Sequence, residues 1–216
     1  MYSLAMQGGK LHARPHIPML REQNVRTGFF EAEQFVSVRA HLPAALRPVV
    51  TFAYLTGWRV PSEVLTLQWR QVDLEAGTVR LDAHTTKNDA GRLLPYGEVL
   101  PELKEVLRSQ RDATKALERK EGVIVPWVFH RDGKPIKDFR GAWDAACKAA
   151  GCPSRIPHDF RRTAVRNLVP AAVPERVAMQ ITGHKTRSVF DRYDIVNEAD
   201  LKEGLRKLGN ATSGTI

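Results

Sequence analysis

The sequence predicts one mainly helical α+β unit with a small antiparallel three-stranded sheet. Apolar residues recur at helical spacing on both sides of a short central region. That region, from Val72 to Pro95, instead carries brief aliphatic runs broken by turn residues. A chain of 216 residues, 43% hydrophobic and 26% charged, suffices for one large core but not for two full-sized domains and a linker.

Residues 1–28 hold Gly8-Gly9, Pro15, Pro18 and scattered basic residues without periodicity, which reads as an arm. The folded unit is expected over 29–208, with 209–216 as a tail. Phe35, Val38 and Leu42 place a helix over 31–42. A second should run from Ala45 to Leu55, with Pro48 tolerated near its first turn and Gly57 ending it. Pro61-Ser62-Glu63 should open a short helix reaching Trp69. Val72-Asp73-Leu74, Thr78-Val79-Arg80-Leu81 and Arg92-Leu93-Leu94 form the sheet, with Ala76-Gly77 and Asn88-Asp89-Ala90-Gly91 as its turns. A long amphipathic helix follows over 100–117 through Leu103, Val106 and Leu107. Further helices are expected over 136–150, 159–168, 174–181, 188–193 and 198–208, parted by Gly151, Pro170 and Gly183.

No apolar run reaches the roughly 18 residues that span a bilayer. The Met1-Tyr2-Ser3-Leu4 start lacks the apolar stretch of a signal peptide, so a cytoplasmic location and no membrane partner are expected. Lys and Arg outnumber Asp and Glu by 33 to 24, for a net charge of +9. This suits a polyanion, because displacing counterions from phosphates drives binding; a basic face solvated by water gives the same balance. Cys147 and Cys152 are the two cysteines, which is not the paired, closely spaced set of a zinc site. No His-Glu-x-x-His or Asp-rich cluster occurs either, so neither metal nor other cofactor is expected.

The chemistry concentrates in the last third. His158 and Arg161 stand three apart at the start of a predicted helix, behind Pro157, and therefore share a face. His-x-x-Arg alone is common by chance. Upstream, Thr56-Gly57-Trp58-Arg59-Val60-Pro61-Ser62-Glu63 sets Arg59 at the break between two apolar helices. A guanidinium there can fork onto phosphate oxygens with Glu63 steadying it, or the two form a surface ion pair worth at most about 1 kcal/mol. Lys87 lies at a hairpin tip, where a solvated lysine is the ordinary case. Thr182-Gly183-His184 is followed nine residues later by Tyr193. A phenol of pKa about 10 attacks at neutral pH only with a base to take its proton and cations to hold the phenolate. A single tyrosine near a helix end is more often a core ring with a wet hydroxyl.

The order Arg59, Lys87, His158-x-x-Arg161, Gly183-His184 and Tyr193 resembles the catalytic domain of the tyrosine recombinase (phage integrase) family, over residues from about 29 to 208. The resemblance implies that Arg59 and Arg161 clamp a scissile phosphate of double-stranded DNA, and that His158 and His184 complete the clamp. It implies that His158 accepts the tyrosine proton, Lys87 protonates the departing 5′ oxygen, and Tyr193 forms a 3′-phosphotyrosyl bond. Strands would be cut and rejoined without metal or ATP. A type IB topoisomerase-like relaxing enzyme would use the same residues, and a catalytically idle DNA-binding fragment would keep only the charge.

Three features depart from the family pattern. Glu63 follows Arg59 by four positions where the family's acid follows by three; Thr182 stands where many relatives carry leucine, a change expected to be mild packing. About 28 residues precede the catalytic region, where relatives carry a further helical DNA-binding domain, so the chain reads as a fragment, a truncated product or a member with a minimal arm. Leu201, Leu205 and Leu208 stripe an otherwise charged terminal helix that must dock on something. By the resemblance that is the next protomer of a tetramer on DNA; docking on its own domain is the other option.

Overall fold

The computed structural model describes residues 2–13, 16, 28–83, 91–191, 201, 202, 204–206 and 209. Its helices are α1 (Tyr2–Gln7), α2 (Ala32–His41), α3 (Arg47–Thr56), α4 (Pro101–Glu121), α5 (Arg140–Ala149), α6 (Asp159–Leu168), α7 (Glu175–Thr182) and α8 (Arg187–Phe190). Strands β1 (Val72–Asp73), β2 (Thr78–Leu81) and β3 (Arg92–Pro95) form an antiparallel sheet in that order, and β4 (His130–Arg131) pairs with β5 (Lys134–Pro135).

Helix α3 is the central pillar. Val49, Val50, Phe52, Ala53 and Thr56 are all buried, and α2, α4 and α6 pack around it. Pro48 sits in its first turn, where a missing N–H is harmless. Gly57 ends it at φ 67°, and a Cβ there would lie 2.7 Å from Ala164 Cβ on α6. Only glycine fits both the left-handed cap and that close approach. Phe160 of α6 anchors the other side of the junction: its ring lies 4.9 Å from Phe30, 5.3 Å from Trp143 and 5.9 Å from Phe35. Burying such a ring contributes about 2–3 kcal/mol, which fixes α6 rigidly just where His158 and Arg161 project.

Strand alternation sets the sheet's inner face. Val79 pairs with Leu94 and Leu81 with Arg92. Leu81 and Leu94 are buried, whereas Arg80 and Leu93 are exposed, so Arg92 lies on the core side with Leu94.

Four local readings differ from the structure. The arm contains α1, whose Tyr2, Leu4 and Met6 are exposed; with no buried position among its described side chains, periodicity had nothing to report. The helix expected from Pro61 to Trp69 is instead a five-residue π turn, Val60–Val64, in which Leu65 N–H donates to the Val60 carbonyl at 2.9 Å. Its Glu63 is drawn inward onto cations, a tertiary demand that overrides helical propensity. The helix expected over 136–150 begins only at Arg140, and a hairpin the sequence reading did not include, β4–β5, precedes it; its tip, Asp132-Gly133, has φ of 51° and 77°, the primed-turn geometry such a pair favours. Helix α4 also continues past Leu117 to Glu121, capped by Gly122. The described residues 201, 202 and 204–206 of the terminal segment are helical, with Leu201 59% and Leu205 68% exposed. No described helix is long and apolar enough to cross a membrane.

Candidate active site

Where α3 ends, the chain reverses at Gly57 and buries Trp58, whose Nε1–H donates to the Ile181 carbonyl at 2.9 Å. Arg59 is thereby held at the mouth of the junction between α3, α6 and α7. Its Nη1 meets Glu63 Oε1 at 2.7 Å, and its backbone N–H donates to Glu63 Oε2 at 2.9 Å. Glu63 also binds Arg92 Nη2 at 2.8 Å, while the Arg92 guanidinium lies 4.6 Å from the centre of the Trp58 ring. Burial alone would raise the Glu63 carboxyl, but Arg92 and Arg59 hold it below its ordinary value. Burial and Arg59 lower Arg92, with Glu63 opposing; a guanidinium stays charged regardless. With 1% exposure, Glu63 is no surface partner of Arg59, and the four-residue spacing holds it fast in both roles.

Arg161 is 2% exposed. Its Nη1 donates to the carbonyls of Gly57, at 3.0 Å, and Thr182, and its Nε–H donates to His184 Nε2 at 3.0 Å. These three acceptors are neutral, and together they fix the guanidinium plane. Arg162 is matched by Asp159 at 3.6 Å. Among the described residues, Arg59, Arg92 and Arg161 bring three positive charges to a place where Glu63 supplies one negative, an arrangement that suits an anion.

His158 precedes α6 and opens to solvent. Desolvation of its ring, then the charges of Arg161 and Arg59, lower its pKa, so it is neutral at pH 7 and able to take a proton. His184 is 7% exposed, and burial, Arg161, Arg59, His158 and Arg92 push it down to about 3. The αL turn at Gly183 aims it: φ is 73°, and both Gly183 and His184 N–H donate to the Met179 carbonyl. A Cβ on Gly183 would fall 2.0 Å from Arg92 Nη1. The His184 ring also meets Phe190 edge-on at 5.6 Å.

Of the six residues singled out in the sequence, Arg59, His158, Arg161 and His184 are brought together. Lys87 and Tyr193 lie outside the described residues. Arg92 was missed; the signal was an arginine two residues before inward-facing Leu94 on the same strand, and therefore on the same face. Thr182 was read as packing alone, yet it is fully buried and its hydroxyl meets His184 Nδ1 at 2.7 Å.

These histidines make the fold acid-sensitive. The unfolded chain protonates His184 near its ordinary 6.5, whereas the folded chain resists until about 3, so stability is lost as pH falls through that interval. The loss from His184 alone should be about 2 kcal/mol at about pH 5. Urea melts at neutral and acid pH check this; His184→Asn should flatten the dependence.

Residues 26–199 match the family model described as the phage integrase family. The chain is 26% identical over 212 residues to the integrase of Salmonella phage P22, covering 92% of this chain and 51% of that protein, so it spans about half of that relative's length. The fold superposes on the XerA recombinase with a TM-score of 0.67 at 18% identity, covering 88% of this chain and 66% of that one. It superposes on the Tn1549 transposon integrase in complex with transposon right end DNA with a TM-score of 0.71 at 16% identity, covering 96% of this chain and 75% of that one. With the domain match running through the whole arginine and histidine cluster, the chain belongs to the phage integrase family.

Proposed function

We infer that the chain is the catalytic unit of a site-specific DNA recombinase that cuts and rejoins strands through Tyr193. One observation carries the reading: Arg59, Arg161 and two neutral histidines meet at a single site with surplus positive charge, in a chain of this family. In the proposed reaction Arg59 and Arg161 hold the nonbridging oxygens of a phosphodiester. The Tyr193 oxygen forms a bond to phosphorus as the bond to the 5′ oxygen breaks; His158 takes the phenol proton, and Lys87 gives one to the leaving oxygen. Negative charge on the nonbridging oxygens grows along the way, and preorganised guanidiniums stabilise it without a metal. The phosphotyrosine keeps the bond energy, so a second 5′ hydroxyl reverses the attack without ATP.

Chain connectivity supports the two remaining roles. Arg92, five residues after Lys87, ties the sheet to Glu63, and Phe190, three residues before Tyr193, packs on His184. Double-stranded DNA is the proposed partner; the net charge of +9 suits it, and the Tn1549 integrase neighbour is seen with DNA. The exposed Leu201 and Leu205 suit a terminal helix that docks on another protomer, giving a homo-oligomer on DNA.

The test is covalent capture. A nicked duplex library of random sequence, whose cleavage releases a short strand and blocks religation, should yield a denaturant-resistant protein–DNA adduct, absent with Tyr193→Phe. No adduct, or equal adduct with the variant, would refute the reading.

A further inference from the structure

The bonds around His184 determine where its proton sits. Arg161 Nε–H can only donate, and it points at His184 Nε2 from 3.0 Å, so Nε2 must present a lone pair. The remaining ring proton is then on Nδ1, which lies 2.7 Å from Thr182 Oγ1. That hydroxyl has one hydrogen. It lies 2.7 Å from the Ala178 carbonyl, which cannot donate, so the hydrogen goes there and Oγ1 is left to accept from Nδ1–H. The opposite arrangement, with the hydroxyl donating to Nδ1, would place an Nε2 proton against the Arg161 Nε proton. One consistent chain remains: Arg161 Nε–H to His184 Nε2, His184 Nδ1–H to Thr182 Oγ1, Thr182 O–H to the Ala178 carbonyl.

We propose that Thr182 is a positioning residue for strand cleavage, its hydroxyl holding His184 as the Nδ1–H tautomer so that Nε2 can orient the Arg161 guanidinium. The local fold explains why threonine can do this. Thr182 is the last residue of α7, and the left-handed Gly183 folds His184 back over that final turn. The branched side chain then faces two ways: its methyl lies 3.2 Å from where a Cβ on Gly57 would stand, and its hydroxyl meets the imidazole. Thr182 contributes a third link through its backbone, since its carbonyl accepts Arg161 Nη1. A leucine could offer the packing and the carbonyl but not the tautomer lock; valine keeps the branched shape and loses the hydroxyl, both the acceptor for Nδ1–H and the donor to the Ala178 carbonyl, whereas serine keeps both.

The role in catalysis rests on the recombinase reading, but the tautomer does not, which separates their failures. The probe is the protein itself, labelled with ¹⁵N at histidine, in wild-type, Thr182→Ser and Thr182→Val forms. Wild type and Thr182→Ser should show His184 protonated on Nδ1 and neutral at pH 7. In Thr182→Val the buried Nδ1–H loses its acceptor, and the ring should populate the other tautomer or rotate. On duplexes recovered by covalent capture, Thr182→Val should form adduct roughly ten- to hundredfold more slowly at unchanged DNA affinity, with Thr182→Ser near wild type. An Nε2–H tautomer in the wild type, a Thr182→Val ring indistinguishable from it, or undiminished cleavage by the valine variant would each overturn the proposal. Should the wild type form no adduct, the recombinase reading and the catalytic role fall together, and the spectra still decide the lock.

Discussion

Arg161→Lys should reduce strand cleavage by about 10²–10³-fold, the usual loss when one preorganised donor to a developing charge is removed. The ammonium keeps the positive charge but cannot reproduce a fork that is already fixed by Gly57, Thr182 and His184. DNA binding, which sums many phosphate contacts, should therefore fall less than about tenfold. Single-turnover adduct formation and a filter-binding titration at one salt concentration separate the two. Arg161→Ala should also lower stability by about 1–3 kcal/mol, since the Gly57 and Thr182 carbonyls lose a buried donor.

The largest stability effect should come from Glu63→Ala. That carboxylate is 1% exposed and binds both Arg59 and Arg92, so its removal leaves two partly desolvated guanidiniums facing one another. Breaking a buried pair from one side costs about 3–5 kcal/mol, and in a chain of this length that corresponds to a fall of roughly 10 °C in melting temperature. Combining it with Arg92→Met, which can lie on Trp58 in place of the guanidinium, should recover part of the loss. Thermal melts of the two singles and the double measure the coupling; strictly additive losses would show that the carboxylate and Arg92 act independently.

The parts of this molecule visible in its sequence are those dictated locally. Helix α6 runs from Asp159 to Leu168, as Pro157 and Pro170 bracket it, and Gly57 ends α3 because no other residue takes its φ and its contact with Ala164. The three strands were legible from short aliphatic runs and turn residues, but the face on which Arg92 lies was not read from them. What escaped depends on partners far along the chain. Glu63 reads as a surface acid until Arg92 arrives from β3, and the same long-range pull turns an expected helix into a π turn. Thr182 reads as a leucine substitute until His184 folds back on it. The Asp132-Gly133 hairpin is a different case: its turn signal was present, but strands of two residues leave too little alternation to detect.

In the proposed reaction this cluster lets the Tyr193 oxygen displace a 5′ oxygen at phosphorus. Mass spectrometry of the captured protein–DNA complex after proteolysis tests it most directly. One cross-linked peptide is expected, joined through residue 193 to the 3′ end of the cut strand. A link through another residue, or to a 5′ end, would contradict it.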